Sequence, residues 1–318
     1  MSKRVGKLDH LKLVVSNTVE RRKIGTALQT NEPLVDKIDW RKKLVEAKSE
    51  KELYETLDEI KKTKDESAIP ELMEMIRMDS TDSSKYKFQF EFDNSNYSES
   101  LDDKLTSVFD VVKLNESQIR SIKESLKSEE DEDEFTYAVC ASQIVRDVRL
   151  LSNLIEEWYK GKDSCFAIGV TIKANEKNEE VVRQAIELVP ELENIFRERN
   201  KDEVEENSFM LAEISYAVVK NHREKLVELA KLITEYLEDL EVNSSKWRFS
   251  EDFGMEHEDA ICGIAGALGE IDYKQAIPVL IRILMFLQRC DKGVASADYE
   301  VEEALKKLLG GSKKEDRS

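Results

Sequence analysis

The stretch "AICGIAGALGEIDYKQAIPVLIRIL", Ala260 to Leu284, decides the fold. Its first half carries apolar residues at helical spacing and closes on Leu268-Gly-Glu-Ile271. A short polar turn follows, and Ala276-Ile-Pro-Val-Leu280 opens a second apolar segment. Proline is tolerated in a first helical turn because the backbone N–H there has no partner within the helix. The spacing therefore predicts two helices, over 257–271 and 275–290, joined by a tight connection. Gly263, Gly266 and Gly269 read G-x-x-G-x-x-G with no strand before them. They suit close packing of one helix on the next rather than phosphate binding. The run "IPVLIRILMFL" is apolar nearly all round, which demands cover on more than one side.

The same pattern stands earlier in the chain. "LDEIKKTKDESAIPELMEMI", from Leu57, repeats Leu-x-Glu-Ile, a polar turn and Ala-Ile-Pro-x-Leu. A helix pair with one apolar side each must stack on neighbours to bury it. Helical spacing also predicts helices over 33–47, 50–63, 68–79, 99–112, 115–128, 135–160, 163–175, 178–199, 204–221, 223–242 and 298–309. In "LVELAKLITEYLEDLEV" the stripe is Leu226, Leu229, Ile233, Tyr236, Leu237 and Leu240. In the last helix Val301, Ala304, Leu305, Leu308 and Leu309 line one face, Asp298 can cap the start and Gly310 suits the stop. The acidic run "SEEDEDE", 128–134, reads as a solvated loop between helices, or as a dock for a basic partner or for the chain's own basic arm.

Composition supports a helical fold. In 318 residues there are 11 glycines and 4 prolines, too few for a chain made of turns, while 40% hydrophobic residues suffice for a core. The net charge of −18 repels phosphate backbones and argues against general nucleic-acid binding. It is unevenly spread: Lys3, Arg4, Lys7, Lys12, Arg21, Arg22 and Lys23 face only Asp9 and Glu20 between Lys3 and Thr30, so that arm is basic. Cys140, Cys165, Cys262 and Cys290 lie far apart without a C-x-x-C pair, which reads as buried reduced thiols rather than zinc ligands or disulfides. No continuous apolar run is long enough for a signal peptide or a membrane span, so the expected location is the cytoplasm.

The two Leu-x-Glu-Ile…Ala-Ile-Pro copies resemble the HEAT-like repeats of the phycobilisome-lyase type, whose pattern is an ALGEIG helix followed by AIPxLI. "AIGVTIKANEKNEEVVRQAIELVPEL" (Ala167–Leu192) resembles a degenerate copy, with Pro190 marking a kink or a helix boundary. The resemblance implies an all-α fold, a HEAT-like α-solenoid of stacked antiparallel helix pairs over 33–310. A basic arm over 1–32 precedes it, partly disordered, and a disordered tail over 311–318 follows. The motif is structural, so it implies no chemistry.

One stretch breaks the helical pattern. "YKFQFEFD" alternates Tyr86, Phe88, Phe90 and Phe92 with polar residues, which predicts a small extended insertion near 84–93. "SSKYKF" (Ser83–Phe88) is echoed by "SSKWRF" (Ser244–Phe249) at the corresponding place after a helix pair. Tyr86, Phe88, Phe90, Phe92, Trp247, Arg248 and Phe249 are accordingly the candidate partner-binding residues, unless they cap the core. Catalytic options are few. His10, His222 and His257 are the only histidines, and "HED" (257–259) reads as a surface histidine at an acidic helix start. No catalytic, cofactor-binding or metal-binding residue is assigned and no cofactor is expected. The expectation is a non-catalytic scaffold, adaptor or regulator that binds another protein or peptide, with a basic one favoured by charge and no membrane. Its alternatives are a lyase- or hydrolase-type enzyme in a concave groove, and nucleic-acid contact through the basic arm.

Overall fold

The computed structural model describes residues 38–80, 100–128, 131–244, 251–288 and 295–310, and fourteen α-helices lie among them. They are α1 (Trp40–Val45), α2 (Glu50–Thr63), α3 (Ile69–Ser80), α4 (Leu101–Phe109), α5 (Glu116–Leu126), α6 (Glu132–Val145) and α7 (Val148–Tyr159). Then follow α8 (Cys165–Ala174), α9 (Glu179–Glu198), α10 (Lys201–His222), α11 (Val227–Ser244), α12 (Glu251–Ile271), α13 (Ile277–Leu287) and α14 (Ala295–Leu308). No strand occurs among the described residues, and the extended insertion expected near 84–93 lies outside them.

Most boundaries follow from capping chemistry. Ser100 and Asn115 close capping boxes with Asp103 and Gln118. Ser49, Asp131, Asn178 and Asn200 accept backbone N–H groups from the first turns of α2, α6, α9 and α10. Each such cap contributes on the order of 1 kcal/mol. The two Ala-Ile-Pro copies fold alike. Lys64 and Asp272 both take a left-handed backbone, φ 54° and 56°. A 3-10 turn follows (Glu66–Ala68, Lys274–Ala276), and the next helix starts at Ile69 or Ile277. The first copy has three extra residues, 61–63, which extend α2 by about one turn before the same stop.

Packing is by alternate helices. α2, α4, α6, α8, α10, α12 and α14 each touch the next of that series, and α5, α7, α9, α11 and α13 do likewise. The two rows meet through hairpin partners: α5 on α6, α7 on α8, α9 on α10, α11 on α12 and α13 on α14. Within a row the helices are parallel. Cys165 at the start of α8 meets Asn207 near the start of α10, while Glu176 just past α8 pairs with Lys220 at the end of α10. Between α10 and α12, Glu205 meets His257 and Arg223 donates to the Ile271 carbonyl, again start to start and end to end. The core lies between the rows, where Leu211, Ile214, Leu229, Ile233, Ile264 and Leu268 have no exposure. Each such side chain contributes about 1.5–3 kcal/mol by leaving water.

Several sequence expectations need correction. The single helix expected over 135–160 is two, α6 and α7, broken at Arg146 with φ 51°. Asp147 caps α7 by accepting from the Arg149 N–H, and its carboxylate also binds the Arg149 guanidinium at 2.6 and 2.9 Å. Burial works against the Asp147 charge, yet these bonds win and hold it below the usual carboxylate range. The acidic run is only partly a loop: Glu132, Asp133 and Glu134 form the first turn of α6, where the helix dipole favours negative charge. Pro190 is not a helix boundary. α9 runs through it, and Pro190 is exposed, so water can serve the Ile186 carbonyl that lacks its helical donor. The run "IPVLIRILMFL" is covered from two sides, by α11 and α14, as expected, while Ile281 and Met285 on its remaining side are 41% and 50% exposed. Leu309 is 67% exposed and leaves the face that Val301, Ala304, Leu305 and Leu308 bury.

The glycine spacing has a sharp consequence. A Cβ on Gly263 would stand 2.2 Å from the Ser208 carbonyl oxygen, so α12 and α10 touch backbone to backbone there. On Gly266 it would meet only the Ala212 Cβ, at 3.6 Å. Gly263→Ala should therefore lower the melting temperature, with a cost of about 1–3 kcal/mol from forced separation. Gly266→Ala should match or slightly exceed the parent, because alanine favours a helix by roughly 0.5–1 kcal/mol. Thermal melts followed by circular dichroism compare the two.

Candidate functional site

One side of α6 carries Glu132, Phe135, Thr136, Val139, Cys140 and Gln143, at three- and four-residue spacing. With Ser128, Lys162 and Asp163 these residues line an open groove of about 650 Å³. Its floor is apolar: Val139 is buried, and Phe135 and Cys140 are half-buried. The wall is fixed from below. Glu157 is 1% exposed and binds Lys160 at 2.8 Å and Lys162 at 2.9 Å. Burial raises the Glu157 pKa, but hydrogen bonds from the two lysines outweigh it, so the carboxylate stays charged. Lys162 also donates to the Ser128 carbonyl at 3.2 Å and sits 4.6 Å over the Phe135 ring. Its charge is thereby turned inward. At the other edge Glu134 binds Arg77 through both oxygens and accepts from Ser125, tying α6 to α3 and α5.

The corresponding face continues onto α8 and α10. Phe166, 47% exposed, stacks on Phe209 with ring centroids 4.3 Å apart. Gly169 makes room for this, since a Cβ there would lie 2.9 Å from the Phe209 ring. Beneath, Asn207 accepts from both Trp158 Nε1 (3.0 Å) and Cys165 Sγ (3.1 Å). Burial, with the charges of Asp163 and Glu206, pushes the Cys165 thiol up to about 12, so it is unreactive at neutral pH.

Charge on this face is asymmetric. The cations at the C-terminal ends are consumed: Lys173 by Glu213 and Lys220 by Glu176, both at 2.7 Å, and Lys307 by Glu270 at 2.6 Å. The acids towards the N-terminal ends are not. Glu132, Asp163, Asp202, Glu206, Glu258, Asp259 and Glu300 form no ion pair among the described residues. Desolvation, then the charges of Asp163, Asp202 and Glu203, raise the Glu206 pKa above the ordinary carboxylate range. Burial followed by repulsion from Glu258, Glu300 and Asp259 likewise pushes the Cys262 thiol up to about 12.

Of the stretches singled out from sequence, the acidic run supplies Ser128 and Glu132 to the groove, and Cys140 lines it as well. Tyr86, Phe88, Phe90, Phe92, Trp247, Arg248 and Phe249, and the basic residues Lys3 to Lys23, lie outside the described residues. His257 is not a surface histidine at a helix start. It stands inside α12, is 6% exposed, and has Nδ1 3.2 Å from Glu205 on α10. Cys140 and Cys262 are half-buried rather than buried. Among the described residues no three of His, Cys, Asp and Glu converge to hold a metal ion, and no helix is long and apolar enough to cross a membrane. Phe166 and Phe209 carried no clear signal in the sequence, because α8 is buried nearly all round and the buried residues of α10 point in several directions. Comparison with protein-family models, with curated proteins and with solved structures found no match.

Glu206 supplies a test of the charge asymmetry. A carboxylate whose folded pKa is raised destabilises the fold once pH exceeds its unfolded value, and has no effect where both states are protonated. Glu206→Gln should thus raise the melting temperature slightly at neutral pH and low salt. The gain should shrink in salt, since the residue is exposed, and vanish as pH falls below the ordinary glutamate range. Melting curves against pH for parent and variant measure it.

Proposed function

We propose that this chain is a non-catalytic scaffold, an α-solenoid of HEAT-like helix pairs that binds another protein or peptide. The carrying observation is that an apolar-floored groove and an exposed aromatic pair share one face of the α6–α8–α10 row. Thr136 in the groove and Phe166 in the pair are exposed there. The alternate-helix contacts and the shared geometry of the two Ala-Ile-Pro copies support the solenoid reading. Stacked arrays of this kind present extended faces to partners. Aromatic side chains at a desolvated centre supply most of the energy in such contacts, and Phe166 at 47% exposure is available for that purpose.

The test separates binding from folding. Thr136 is exposed and Phe166 largely so, hence Thr136→Arg and Phe166→Asp should leave the melting temperature within a few degrees of the parent. Affinity capture with quantitative mass spectrometry should recover a partner with the parent and lose it, by tenfold or more, with both variants. Glu198→Lys, on exposed α9, should leave recovery unchanged. Equal recovery with all four proteins, or none with the parent, would overturn the proposal.

A further inference from the structure

We infer that the occupant of this face is a basic, extended segment of a partner protein, laid across the row so that its cationic side chains follow the acids while an apolar side chain enters the groove over α6. This rests on the scaffold reading and adds the partner's chemistry.

Three observations define that chemistry. The groove floor of Phe135, Val139 and Cys140 is apolar, and its nearest cation, Lys162, is fully engaged by Glu157 and the Ser128 carbonyl. An anionic ligand would therefore have to break an existing pair to gain one. Its rim acids, Glu132 and Asp163, are exposed and have no ion-pair partner among the described residues. Third, the acids continue past the groove in the direction of the row. Asp163, before α8, and Glu206, on α10, are exposed and form no ion pair among the described residues, and Asp163 acts on Glu206 to raise its pKa; Glu258 and Asp259 of α12 and Glu300 of α14 are likewise without an ion pair there. Unpaired acids thus stand on successive members of the row, α6, α10, α12 and α14, as well as before α8. An extended chain advances about 3.3 Å per residue, so roughly three residues cover the 8–10 Å between packed helix axes. A segment with a basic residue at about every third position matches this repeat.

The helix dipole gives a purely structural account of some of these acids, because negative charge is favoured in a first turn. It covers Glu132 and Asp202, which stand in the first turns of α6 and α10. It does not cover Glu206, Glu258 or Asp259, which stand beyond the first turns of α10 and α12. At Glu206 the repulsion from Asp163, Asp202 and Glu203 has no ion pair to offset it among the described residues, and a cationic occupant would relieve it.

The experiment uses the full chain and three fluorescein-labelled synthetic peptides of twelve residues. One repeats Lys-Leu-Ser, the second replaces lysine by glutamate, and the third replaces it by glutamine. Fluorescence anisotropy should give binding of the lysine peptide at least tenfold tighter than of the other two, weakening steeply with salt. The double variant Glu132→Lys/Asp163→Lys should lose that preference by tenfold or more. Glu66→Lys/Glu198→Lys makes the same change in net charge at exposed sites on the other row and the turn before α3, and should keep it. Equal loss in both double variants would reduce the effect to net charge and overturn the inference. Binding of the glutamine or glutamate peptide as tight as the lysine peptide, and abolished by Phe166→Asp, would also overturn it while leaving the scaffold reading standing.

Discussion

Where α12 crosses α10, the Ser208 carbonyl oxygen occupies the space that a side chain on residue 263 would need. Two helices that approach so closely must hold a fixed register, because sliding by one residue would drive Ile264 or Cys262 into the same oxygen. The contact ties together the centre of the molecule. α10 touches α8 and α12 along its row and α9 from the other. Its buried residues, from Val204 and Met210 to Leu211, Ile214 and Val218, consequently point in several directions, and no single polar stripe runs its length. Only a helix gripped from three sides can be stable with that pattern. The parallel order within the row follows, since hairpin connections alternate direction and every second helix returns to the same sense.

The face opposite the core inherits its character from this arrangement. Parallel helices bring like ends together, so residues suited to helix starts form one edge and those suited to helix ends another. At the C-terminal edge the lysines reach the next helix and are neutralised, as Lys173 on Glu213 and Lys220 on Glu176. At the N-terminal edge acid meets acid, Asp163 beside Glu206. Folding alone would select against such repulsion, and one lysine would remove it. Elsewhere one side chain can serve several partners, with Arg149 reaching Asp147, Glu116 and the Leu114 carbonyl at once.

Much of the fold was legible because its signals are local. Ala-Ile-Pro fixes a helix start wherever it follows a polar turn, and the stripe from Leu226 to Leu240 is buried as its spacing demands. The break at Arg146 was not legible, for a left-handed residue there is neither glycine nor asparagine and no proline follows. The stop is set by Asp147 and Arg149, whose effect depends on Glu116 and Leu114 over thirty residues away in sequence. His257 was misread for a related reason: its helix starts at Glu251, not at the histidine, and its burial comes from α10. The face was illegible as a unit. Glu132, Phe166 and Glu206 each look like an ordinary exposed residue of a separate helix, and only long-range packing sets them side by side.

That division suggests how recognition would be shared between the two components of the face. Exposed charges act over about 8 Å in physiological salt and chiefly accelerate encounter, since water weakens them at contact. The groove floor and the Phe166–Phe209 stack act only once water is displaced, and therefore govern how long a partner stays. An acidic edge without the groove would attract basic chains and release them at once. A groove without the edge would hold any apolar side chain. Their placement on the same three helices makes retention conditional on charge, which is what selectivity for a basic segment requires. The backbone contact at Gly263 bears on this too, because it fixes α12 against α10 and hence the spacing of Glu258 and Asp259 from Glu206.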